Sequence, residues 1–170
     1  MYFSVANGSW LKSIHWYRIC AALFLLTVAC NRDSDQVMVP NQISPPISKP
    51  DDMSHLFSLT GQESIELVDD NLLGKEYFPG GNVAQYKRDG LHYQQFLIRS
   101  ATPEKSTFLM MDFKNSLENA RFVPHLGGYF GLDGKTPVLI IQRGHSLAGV
   151  VGLPKETADN IMREFAPRLD

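Results

Sequence analysis

Residues 138–153 read VLIIQRGHSLAGVVGL, and two folds compete for them. The Gly-His-Ser core imitates the G-x-S-x-G elbow of a serine esterase, in which a strand turns sharply at the nucleophile and runs into a helix. The residues after Ser146 do not suit a helix. Ala148 to Pro154 carries two glycines, two adjacent valines and a proline, all costly in a helix interior. In the hydrolase order the histidine comes after the serine, yet the last histidine of the chain is His145. His145 and Ser146 are neighbours, so on an extended strand their side chains point to opposite faces. The stretch therefore reads as a hairpin: Val138–Gln142 and Leu147–Val151 are strands, and Arg143–Ser146 connects them. The competing reading is a small exported serine hydrolase, with Ser146 as nucleophile, His145 as base and an acidic partner.

Outward from the hairpin, a last helix begins at Pro154. Ala158, Ile161, Met162, Phe165 and Leu169 form its apolar stripe at helical spacing. Upstream, Gly127–Gly131 reads as a short strand and Asp133-Gly134 as a turn. Asn82–Arg88 and Leu91–Arg99 are strand-like runs joined by Asp89-Gly90, a pair that tolerates the positive φ of a tight hairpin. Pro79-Gly80-Gly81 reads as a turn before them. Thr102 suits an N-cap, Pro103 the first helical position and Glu104 the positive helix end. Leu109, Met110, Phe113 and Leu117 then share a helical face. Residues 56–75 fit either a short helix or an irregular strand and turn. The order is β-β-α-β-β-β-α, and the expected class is α+β: an antiparallel sheet with two helices packed on one face.

Few residues in this frame carry chemistry. Tyr77, Phe78, Tyr129 and Phe130 sit beside glycines and are candidates to line a binding groove, with core filling as the alternative. Gly128–Thr136 resembles a phosphate loop, but a strand comes next where a helix should open, so it reads as a turn. His55, His92, His125 and His145 are too far apart for the usual short-spaced zinc pairs. Asp69-Asp70 lacks the surrounding ligands of a calcium loop. No cofactor or metal is expected.

The N-terminus concerns location. Lys12 and Arg18 precede a twelve-residue apolar run, Ile19–Cys30. That is shorter than the ~20 residues a membrane-spanning helix needs and has the form of an export signal. Leu26-Thr27-Val28-Ala29-Cys30 resembles the lipobox of bacterial lipoproteins, although the usual leucine stands one place early. The resemblance implies a signal over residues 1–29, removed before Cys30, and acylation, including palmitate, of Cys30. It also implies anchoring to the lipid bilayer of the cell envelope, and Asn31 in place of aspartate favours the outer membrane. Residues 30–55, with Pro40, Pro45, Pro46 and Pro50, read as a tether, and residues 56–170 as the folded domain. Cys20 and Cys30 are the only cysteines, so no disulfide framework or cysteine-based metal site fits the folded part. The chain has 16 basic and 18 acidic side chains. Losing Lys12 and Arg18 leaves a net charge of about −4, with no basic cluster for nucleic acid.

The run from Tyr77-Phe78-Pro79-Gly80 through Gln85–Gly90 to Phe96-Leu97-Ile98 and Thr102-Pro103, with Gly144–Pro154 before the last helix, resembles an exported bacterial family known only as a domain of unknown function (six-five-nine-nine). The resemblance covers residues 75–168 and implies a compact sheet-and-helix module. Family members have two related β-β-α halves, and this chain would match the second. It carries over no catalytic residue. A lone half would leave a sheet edge open, so a homodimer or pairing with another envelope protein through that edge is expected.

Overall fold

A computed structural model describes residues 49–169. The expected export signal, Cys30 and most of the expected tether lie outside the described residues. Seven strands form one antiparallel sheet: β1 (Gln62–Asp70), β2 (Pro79–Arg88), β3 (Leu91–Arg99), β4 (Glu118–Val123), β5 (Gly128–Asp133), β6 (Thr136–Arg143) and β7 (Ser146–Val151). Their spatial order is β1-β2-β3-β7-β6-β5-β4. Helix α1 (Pro103–Ser116) follows β3, and α2 (Lys155–Phe165) follows β7. The class is α+β.

The helices occupy opposite faces of the sheet, which corrects the expectation of one shared face. Strand alternation shows why. Tyr93 and Leu97 of β3, Leu139 and Ile141 of β6, and Ala148 and Val150 of β7 pack with Ala158, Met162 and Phe165 of α2. The intervening Phe96, Ile98, Val138, Ile140 and Leu147 pack with Met110 and Phe113 of α1. A run such as Val138–Ile141, apolar at every position, presents apolar side chains on both faces, and each face needs a cover.

The sheet also holds two strands beyond the expected set. Residues 62–70, which fitted helix or strand, form β1, and Glu118–Val123 forms β4. Both are edge strands with mostly exposed side chains, so neither shows a clean apolar period. Pro79-Gly80-Gly81 opens β2 rather than turning. A Cβ on Gly80 would lie 2.2 Å from the Asp69 carbonyl oxygen, and one on Gly81 2.4 Å from that of Leu97. These glycines let three strands close up. The premise of a lone half-sheet does not hold either: β1-β2-β3-α1 and β4-β5-β6-β7-α2 are both present and meet at the β3–β7 ladder.

Packing reaches back past Leu56. Met53 and Leu56 lean on the α2-side core, which Phe57 joins. Asn82, almost fully buried on β2, holds this segment: its Oδ1 accepts from Met53 N–H at 2.8 Å, and its Nδ2 donates to Asp52 at 3.0 Å. At the start of α1, the Thr102 hydroxyl caps the helix by accepting from Lys105 N–H at 3.3 Å, as its position suggested.

Candidate functional site

Arg143 pairs with Ser146 at the end of the β6–β7 ladder, leaving Gly144 and His145 as a two-residue turn. Gly144 has φ +48°, and a type II′ hairpin asks for glycine with positive φ at that first turn position. The His145 carbonyl accepts from Ser100 N–H at 2.8 Å, and its ring Nδ1 lies 3.2 Å from the Ser100 carbonyl oxygen. The turn is thereby tied to the end of β3. Ser146 is fully buried at the first position of β7, and its hydroxyl has no hydrogen-bond partner. Gly149 stands opposite Phe96, where an added Cβ would meet the ring at 2.5 Å. Gly144, the leading glycine of the elbow-like pattern, is thus accounted for by a turn, and Gly149, one place beyond the pattern's second glycine position at Ala148, by the aromatic ring it lies beneath.

The four candidate aromatics do not assemble. Phe78 is core, edge-on to Phe113 with centroids 5.0 Å apart. Tyr77 is partly exposed, and its hydroxyl lies 3.2 Å from that of Ser116. Tyr129 and Phe130 are consecutive on β5 and so point to opposite faces. Tyr129 packs on the α1 side, with Lys114 Nζ 5.9 Å from its ring centre, and Phe130 packs on the α2 side. The groove expected from these residues is not formed. The turn between β5 and β6 is Gly134-Lys135, one residue later than the sequence suggested, with Asp133 paired to Thr136 at the end of β5.

An open groove of about 560 Å³ lies elsewhere, at the end of the sheet where β1 finishes, β2 starts and β3 runs into α1. That volume is within the usual range for small-ligand sites. Gly80, Pro79, Ala101 and Leu109 line its apolar part, and Phe108 stands at its lip, 68% exposed. Lys49 and Asp51 come from the segment ahead of β1, Asp69 and Asp70 from β1, Arg99 from β3 and Lys105 from α1. Among the described residues none of these six charges is in an ion pair. The register explains the separation. Val68 faces Gly81 and Asp70 faces Pro79, so Asp69 is opposite Gly80, and the β2–β3 register carries Gly80 to Arg99. Two strand spacings, about 10 Å, separate the acidic and basic backbone positions, with only a glycine between. Ser100, itself buried, adds a hydroxyl without a partner. Beside it, the Glu104 carboxylate is held below the usual carboxylate range, first by its own backbone N–H and then by the Thr102 hydroxyl.

Sequence reasoning missed this site because its parts are spread over residues 49–109. Only Asp69-Asp70 and the Pro79-Gly80 pair stand out locally, and both read as turns. The chain matches no family model, no curated protein and no solved structure.

Proposed function

We propose that the chain is a non-catalytic binding module of the bacterial envelope, held to the membrane through acylated Cys30 and the proline-rich tether. The observation that carries the binding reading is the sheet-end groove, where opposite charges line an apolar slot without neutralising one another. The lipobox-like Leu26–Cys30 run and the resemblance to an exported family support the location. Ser146 as a nucleophile finds little support, since its hydroxyl is sealed in the core and the adjacent His145 ring is turned to the Ser100 carbonyl. Turnover of a short-chain ester that vanishes in Ser146→Ala would overturn the non-catalytic reading.

Pairing through a sheet edge belongs to the same proposal. The free edge of β1 carries Glu63, Glu66, Asp69 and Asp70. Charges on an edge strand oppose self-pairing, so an envelope partner with a basic strand suits this edge better than a second copy. Intact mass of the protein from its native membrane, beside Cys30→Ser, tests the anchor. The expected species begins at Cys30 and carries acyl mass that the variant lacks; a mass beginning at Met1 would remove the anchor.

A further inference from the structure

We propose that a second groove, between the β2–β3 hairpin and α2, takes a neutral saccharide unit. This groove lies at the other end of β2 and β3 from the sheet-end groove and shares no lining residue with it. It adds a site that the binding-module reading does not require.

One face of the sheet and one face of the helix build it. Across the hairpin Tyr86 pairs with Tyr93 and Arg88 with Leu91, and paired residues share a face. Tyr93 packs in the core on the α2 side, so Arg88 and Leu91 point towards α2 as well. From the helix, Thr157, Asn160, Ile161 and Glu164 follow one another at i, i+3, i+4 and i+7, a single helical face. Together with Leu153 they enclose an open groove of about 390 Å³, within the usual range for small-ligand sites.

The Tyr93 hydroxyl points to the chemistry. The residue is only 6% exposed and lines the groove, yet among the described residues its hydroxyl makes no hydrogen bond. Its stacking partner Tyr86 donates to the Ser58 carbonyl, and a buried tyrosine ordinarily finds such a partner. Burial pushes the Tyr93 pKa up; Arg88 draws it back, and Glu164 and Asp89 raise it further. The hydroxyl therefore lies among charges that themselves line the groove. The Thr157 hydroxyl and the Asn160 amide are likewise without hydrogen bonds among the described residues.

These groups select a ligand class. Arg88 stands 3.8 Å from Glu164 and 3.9 Å from Asp89, so a charged ligand would have to break into that arrangement and a neutral one would not. A wholly apolar ligand would strip water from the Tyr93 hydroxyl and the Asn160 amide and give nothing back. A sugar ring meets both demands. Its hydroxyls donate and accept, which suits Tyr93, Thr157 and Asn160, and its C–H face can lie on Leu91, Leu153 and Ile161. Leu91, 42% exposed at the tip of the hairpin, is the open apolar surface that such a face would cover.

The test records backbone amide spectra of the full chain during titration with methyl glucoside, with cyclohexanol and with glucuronate. The glucoside is expected to shift the amides of Leu91, Tyr93, Leu153, Thr157 and Asn160. Cyclohexanol, with one hydroxyl, and glucuronate, with a charge, should bind about tenfold more weakly. Tyr93→Phe keeps the ring on Tyr86, and Asn160→Ala changes an exposed position; each should weaken the glucoside about tenfold. Unchanged spectra away from the groove report an intact fold in either variant. Equal binding of cyclohexanol or glucuronate, or no loss in the two variants, would overturn the saccharide assignment. No shift of these amides by the glucoside at tens of millimolar would overturn the site itself.

Discussion

At the scale of single residues, Ser146 shows how a catalytic signature arises from packing. A buried hydroxyl without a partner has given up water for nothing. Ser146→Ala is therefore expected to leave stability unchanged or raise it by up to about 1 kcal/mol, read as the midpoint of urea unfolding. Gly149→Ala should do the opposite, because its new methyl group meets the Phe96 ring at 2.5 Å and the Leu139 carbonyl oxygen at 2.7 Å. Overpacking of this kind costs about 1–3 kcal/mol, and the same midpoint would fall. Tyr86 offers a pH test. It stacks on Tyr93 with ring centroids 5.0 Å apart and donates its hydroxyl proton to the Ser58 carbonyl at 2.9 Å. Burial, and secondarily Tyr93, push its pKa from 10.0 up to about 12. The folded state then holds a proton that the unfolded chain releases. Stability is full below pH 10 and is lost as pH rises from there to about 12. Tyr86→Phe should flatten that part of the decline.

At the scale of elements, two polar stitches hold what the apolar layers leave loose. Asn82 ties the 52–54 segment to β2, and its removal strips Met53 N–H of its acceptor. Asn82→Ala is expected to cost about 1–3 kcal/mol, with hydrogen exchange rising first at residues 53–57. On the other flank, Asp159 of α2 accepts from His125 and from Arg163, both at 2.6 Å, and so fastens the β4–β5 connection to the helix. These partners are largely exposed, and Asp159→Ala should cost no more than about 1 kcal/mol. Element identity was legible where burial imposes a period. The hairpin at Asp89-Gly90, the capped start of α1 and the stripe of α2 all read directly from the sequence. β1 and β4 did not, since an edge strand buries too little for alternation to show. Nor did the start of β2, where Pro79-Gly80-Gly81 carries turn chemistry but is used for close backbone approach.

At the scale of the whole molecule, the two-sided sheet has both central faces sealed, leaving its ends and edges for contact. β1 is long but acidic, and β4 is short and irregular, with Asn119 at φ +54°. Such edges resist pairing with copies of themselves. Sedimentation of the full chain in detergent should therefore give one protein copy per particle at low ionic strength. A concentration-dependent dimer would instead support self-pairing through an edge. The candidate groove belongs to this scale too. Its charges come from β1, β3, α1 and the 49–51 segment, and meet only when β1, β2 and β3 align and α1 folds back over their ends.

The amino-acid sequence by itself determined the α+β class, the hairpin nature of residues 138–151 and the positions of both helices. Each depends on local periodicity, turn chemistry or capping, which act over a few residues. Tertiary structure alone decided that the helices lie on opposite faces, that Phe78 is core while Phe108 is exposed, and that Asp69, Gly80 and Arg99 fall in one row. Those outcomes depend on which strands become neighbours and in what register, a choice made by long-range burial that no local pattern records.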